Sequence, residues 1–130
     1  MKFSKKIIEI EGDASFRKFY RNKKNKSIIV VANKEKNKNL LDYDAVNKIL
    51  TKNKILAPKL INQNYHKNYI EIQDFGNKTI YQLLKKKKID GYLILKKVVK
   101  ILNKIQLIKD KKIKNFKNEK YKIKKYHRKV

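Results

Sequence analysis

Residues 6–32 place the strongest constraint on the fold, because three strand-like runs arrive in succession with only short polar breaks between them. Lys6-Ile7-Ile8-Glu9-Ile10 alternates loosely, and Phe16-Arg17-Lys18-Phe19-Tyr20-Arg21 resumes the pattern after the polar, Gly-containing turn Glu11-Gly12-Asp13-Ala14-Ser15. The turn makes the second run an antiparallel partner of the first. A polar loop at 22–26 then leads into Ser27-Ile28-Ile29-Val30-Val31-Ala32.

After the polar segment 33–39 the period changes. Leu40, Leu41, Tyr43, Val46, Ile49 and Leu50 recur at helical spacing, and this helix is expected to end near Asn53. Pro58 punctuates the connection to two further strands, residues 59–64 and 69–73, joined by a turn at 65–68. Three strands, a helix and two strands predict an α+β fold: a five-stranded antiparallel sheet with one helix packed on a face, which buries the helix stripe and the sheet face together. Thr79 is placed to cap a short helix running to Lys87, and Ile94, Val98, Ile101, Leu102, Ile105 and Ile108 mark a longer one from Tyr92. The chain thus divides into a sheet lobe over 1–78, helices over 79–109 and a Lys-rich tail over 110–130. That tail has too little apolar surface to order itself without a partner.

A length of 130 residues bounds the core to one domain. The net charge of +26 would ordinarily point to nucleic acid or an anionic membrane, but of 37 basic residues only Arg17, Arg21 and Arg128 are arginine. Lys, Ile and Asn make up half the chain, the bias of an AT-rich genome running along it, whereas dedicated phosphate readers favour the bidentate guanidinium. No cysteine is present, which excludes disulfides, thiolate metal sites and a cysteine nucleophile. The apolar run near the start is too short for a signal peptide and no stretch approaches a membrane span, so a cytoplasmic location is the expectation.

The run Gly12-Asp13-Ala14-Ser15-Phe16-Arg17, the later Gln73-Asp74-Phe75-Gly76, and the order of elements between them resemble the N-terminal lobe of the aminoglycoside phosphotransferase-like kinases. Within that superfamily the similarity is closest to the bacterial anomeric kinases of N-acetylmuramate and N-acetylglucosamine, enzymes of peptidoglycan recycling, and it spans roughly residues 7–106. The resemblance implies a protein-kinase-like N-lobe whose cofactor is ATP with Mg. Gly12, Asp13, Ala14, Ser15 and Phe16 would cover the phosphates, with Arg17 or Arg21 adding charge. Ile72, Gln73, Asp74 and Phe75 would form the hinge that reads the adenine edge. Ile29 and Val31, or their in-register neighbours, would wall the apolar slot.

Two departures from the family pattern bear on function. The third strand carries no lysine to hold phosphates; Lys34 lies just beyond it, with Asp42 or Asp44 in the following helix as its acidic partner. The His-Gly-Asp loop and later Asp that supply the family's catalytic base and metal ligands are also absent, since His66 precedes Lys67-Asn68 and His127 precedes Arg128-Lys129. The chain is therefore expected to bind nucleotide, to contain no catalytic or metal-ligating residue of its own, and to be inactive by itself. An amino sugar would be a partner only where a C-terminal lobe is supplied. The competing expectation is a non-enzymatic basic module, in which Tyr and Phe interleaved with Lys stack bases and contact nucleic acid non-specifically. The helix from Tyr92 to Ile108 is expected to leave Ile94, Val98, Ile101 and Ile105 as an apolar patch facing solvent or a dimer partner.

Overall fold

The computed structural model describes residues 6–11, 16–86, 89–110 and 112–122. Strands β1 (Ile7–Ile10), β2 (Arg17–Asn22) and β3 (Ser27–Ala32) form an antiparallel meander, followed by helix α1 (Lys38–Lys52) and strands β4 (Leu60–Asn64) and β5 (Tyr69–Gln73). The sheet order is β1-β2-β3-β5-β4, all antiparallel. Helix α1 carries the chain across the sheet, so β4 lands on the far edge and β5 returns to pair with β3. The predicted α+β class, five-stranded antiparallel sheet and element order are what the structure shows.

One face of the sheet holds the core. Strand periodicity puts Ile28, Val30 and Ala32 of β3 on that face with Ile70 and Ile72 of β5, and Leu40 of α1 packs against them. Val30, Leu40 and Ile70 are wholly buried, and each contributes about 1.5–3 kcal/mol by leaving water. Helix α1 presents Leu40, Leu41, Ala45 and Ile49 inward, one stripe at helical spacing. It ends where Asn53 caps it, the side-chain amide donating to the Ile49 carbonyl at 2.9 Å. Buried Asn47 donates to the carbonyl of Pro58, which ties the segment before β4 to the helix.

Beyond β5, helix α2 (Ile80–Lys85) begins at a capping box. Thr79 Oγ1 accepts from the Gln82 N–H at 3.2 Å, and Gln82 Oε1 accepts from the Thr79 N–H at 3.4 Å. It stops two residues short of the predicted Lys87, which lies outside the described residues. Helix α3 (Gly91–Gln106) starts at Asp90, whose carboxylate accepts from the Tyr92 and Leu93 N–H groups. No residue of α3 is buried. Ile101 and Ile105 are exposed, as are Leu95 and Leu102, while Ile94 and Val98 are half-covered.

The tail departs from its expected lack of order over 112–122, where β6 (Lys112–Lys114) and β7 (Lys120–Lys122) form a hairpin. Asn115 is buried and its carbonyl oxygens and amide organise the turn, while Phe116 meets the Tyr65 ring edge-on at 5.8 Å between centroids and packs against the core. Asp110 joins this region to the end of α1, accepting from Lys52 and, at 2.8 Å, from the Asn53 amide. Residues 123–130 lie outside the described residues.

Candidate functional site

Strand β2 places Arg17, Phe19 and Arg21 on the core face, opposite Ala32, Val30 and Ile28 respectively. Helix α1 covers the Val30 and Ala32 end of that face through Leu40. At the Ile28 end a groove of about 310 Å³ remains open, bounded by Ile10 and Glu11 of the β1 end, Phe19 and Arg21 of β2, Ile28 of β3, Pro58, and residues 72–76 at the exit of β5. Apolar residues predominate in its lining, and residues 73–76 at the β5 exit form one side of its rim.

That rim is fixed by a clasp. Arg21 Nε lies 2.6 Å from Asp74 Oδ2 and Nη2 lies 3.1 Å from Oδ1, a two-pronged pair reaching from β2 across β3 to the β5 exit. The same guanidinium donates to the Gly76 carbonyl at 3.2 Å and to the Asn77 side-chain oxygen. Asp74 Oδ1 in turn accepts from the Gly76 N–H at 2.7 Å, closing an Asx-type turn that needs φ of +82° at residue 76, a conformation suited to glycine. Burial of Asp74 works to raise its pKa, but the Gly76 N–H and the Arg21 guanidinium outweigh it and hold the carboxyl below its ordinary value. The Gln73 N–H is taken by the Lys59 carbonyl at 2.9 Å. Among the described residues no hydrogen bond occupies the N–H of Asp74 or Phe75.

A second groove, of about 350 Å³, runs along α1 and shares Pro58 with the first. Arg17 overhangs it, with the guanidinium carbon 5.3 Å from the centroid of the Tyr43 ring, and Asn39, Asp42 and Asn47 line it. Burial raises the Tyr43 pKa, with the Arg17 charge pulling it the other way, so the phenol stays neutral at physiological pH.

The structure brings Ile72, Gln73, Asp74 and Phe75 together on the first groove, and Arg17 onto the second. Ile29 and Val31 line neither. They alternate to the opposite face from Ile28, and their in-register neighbour Ile28 forms the wall instead, because a one-residue shift in a strand reverses the side chain. Phe16 is exposed, with Lys36 Nζ 5.0 Å from its ring centroid, and lines neither groove. Gly12, Asp13, Ala14 and Ser15 lie outside the described residues. Arg21 borders the first groove and is paired with Asp74. Lys34 is exposed in a short 3-10 turn, and buried Asp44 pairs with Lys48 of its own helix at 2.8 Å. Among the described residues no three His, Asp or Glu side chains gather as a metal site, and no helix is long and apolar enough to cross a membrane.

Sequence reading missed Ile10, Phe19 and Pro58 as groove residues, and Asn47 as the tie beneath Pro58. The period-2 register of β2 against β3 was the available signal for Phe19. Pro58 carried none, since its place on the groove depends on the long-range return of β5. The chain matches no protein-family model, and the searches of curated proteins and of solved structures found no match to it.

Proposed function

We propose that this chain is an ATP-binding lobe of the kind found in aminoglycoside phosphotransferase-like kinases, resembling those that phosphorylate cell-wall amino sugars. One observation carries the reading. An apolar groove walled by three consecutive strands of the meander opens beside the main chain at 74–75, whose N–H groups have no hydrogen-bond partner among the described residues and can meet the edge of a flat heteroaromatic ring. Ile10, Phe19, Ile28 and Ile72 would sandwich the base, and the Arg21–Asp74 clasp would hold the reading edge in place. Gly12, Asp13, Ala14 and Ser15 enter on the sequence resemblance alone, as the turn over the phosphates. Magnesium, when bound with the nucleotide, would neutralise phosphate charge; the described residues gather no ligand set for it.

In this reading the chain binds nucleotide and performs no transfer, because the sequence has no His-Gly-Asp loop of the kind that supplies the family's base for the acceptor hydroxyl. Thermal-shift titration tests it. Mg-ATP at tenfold excess over its Kd is expected to stabilise the fold by about 1.4 kcal/mol, a rise of several degrees in Tm for a domain of this size. Absence of any shift at millimolar Mg-ATP and adenosine overturns the assignment. Phosphoryl transfer to amino sugars should stay at background, and turnover would show that the chain carries a base unaccounted for here.

A further inference from the structure

We infer that helix α3 is a membrane-surface helix, which lays its uncovered apolar stripe against the acyl chains of an anionic bilayer while its lysines reach the phosphate headgroups. The inference stands apart from the nucleotide reading and uses none of the groove residues. At about 3.6 residues per turn, Ile94, Leu95, Val98, Ile101, Leu102 and Ile105 fall in one half of the helix circumference, and Lys96, Lys97, Lys100 and Lys104 fall in the other. Leu93 is an apolar exception among the lysines. Leu95 is 61% exposed and Leu102 51%, and all four lysines are exposed. Both faces of α3 are therefore open, and no ion pair among the described residues includes any of the four cations.

The abundance of lysine in the chain does not by itself produce this pattern. Helix α1, which packs on the sheet, carries Asp42 and Asp44 among its lysines and pairs Asp44 with Lys48 at 2.8 Å, whereas no acidic residue occurs between Asp90 and Asp110. Lys96, Lys100 and Lys104 thus stand at successive i, i+4 positions with no counter-charge on the helix, an arrangement that repels itself and that a negatively charged surface relieves. A protein seated on the apolar stripe would leave those lysines on the far side of the helix. A second copy would also bring together two chains of net charge +26. A bilayer interface meets both faces at once: the apolar half enters the acyl boundary, and the long stems of Lys96 and Lys97 snorkel from either edge of the stripe to the headgroups. With 16 residues and four lysines α3 is no candidate span, so it lies in the plane of the interface.

Vesicle co-sedimentation of the full chain tests the assignment, with vesicles of phosphatidylcholine alone and of equal parts phosphatidylcholine and phosphatidylglycerol. Binding to the mixed vesicles is expected, about tenfold or more tighter than to phosphatidylcholine alone. Ile101→Gln combined with Ile105→Gln leaves the charge unchanged and should weaken mixed-vesicle binding about tenfold or more. Lys96→Gln combined with Lys97→Gln should weaken it about fivefold per lysine. The chain has no tryptophan, so a single introduced one reports depth. Emission from Leu102→Trp should be quenched by brominated acyl chains, and that from Leu93→Trp, among the lysines, should not. Mixed-vesicle binding that the isoleucine pair leaves unchanged, or equal quenching at the two positions, would mean adsorption of a polycation and overturn the assignment. No binding to either vesicle would overturn it too. Blue-shifted Leu102→Trp emission without lipid, together with a dimer in sedimentation, would give the stripe to a second copy and refute it. If the isoleucine variant fails to fold, the quenching contrast between positions 102 and 93 decides.

Discussion

The guanidinium of Arg21 links two strands that do not pair, since β3 lies between β2 and β5, and it does so with both side chains largely withdrawn from water, 21% and 11% exposed. A charge-assisted pair in that setting is worth more than a surface ion pair, because competing solvent is scarce and the geometry is two-pronged. Arg21→Met is expected to lower stability by about 1–3 kcal/mol near neutral pH, read by urea unfolding. The pH dependence has a definite sign. The folded pKa of Asp74 lies below the ordinary value of 3.8, so the pair's stabilisation is complete above that value and is lost as pH falls through the lower, folded one. The gap between wild type and Arg21→Met should therefore close on acidification from pH 4 downward; a gap that persists to the lowest accessible pH would assign the effect to packing of the arginine stem.

At the scale of elements, α3 and the β6–β7 hairpin show where apolar pattern and burial part company. Helix α3 has a well-defined apolar stripe and a good Asp90 cap, yet none of its residues is buried. The hairpin has few apolar residues, yet Phe116 reaches the core. Replacing Ile101 and Ile105 together by Gln should leave Tm within about two degrees, since exposed substitutions rarely change stability by more than about 0.5 kcal/mol. The same change should reduce the fluorescence of an apolar-surface dye, and a large fall in Tm would show that the stripe is packed in solution. The strands and α1 were legible because period and turn chemistry are local. Thr79 was readable as a cap for the same reason. Whether a stripe is covered depends on where another element arrives, and the face of Ile28 against Ile29 depends on a register set by β2 and β5. Of the groove beside the β5 exit, only residues 72–75 were legible in the sequence; Phe19 and Pro58 enter through contacts distant in sequence.

For the whole molecule, the net charge of +26 comes from lysines spread along the chain, in the helices, the loops, β2 and the tail, and absent from β1, β3, β4 and β5. A diffuse cation of this size attracts any polyanion, so nucleic-acid binding is expected whether or not the chain evolved for it. The two kinds of binding differ in what they depend on. Contact with a phosphate backbone releases counterions, and six to ten such contacts lose about three to five orders of magnitude in affinity between 50 and 200 mM salt. In the proposed reading, a base held between Ile10, Phe19, Ile28 and Ile72 would depend on apolar area and main-chain hydrogen bonds, which salt screens little. Titration of a fluorescent single-stranded oligonucleotide should therefore show affinity that collapses over that range without preference among sequences, while adenosine binding changes by less than twofold. Oligonucleotide binding that survives 200 mM salt and prefers one sequence would instead mean that the interleaved Tyr, Phe and Lys side chains form a reading surface, and the basic-module function would displace the nucleotide one.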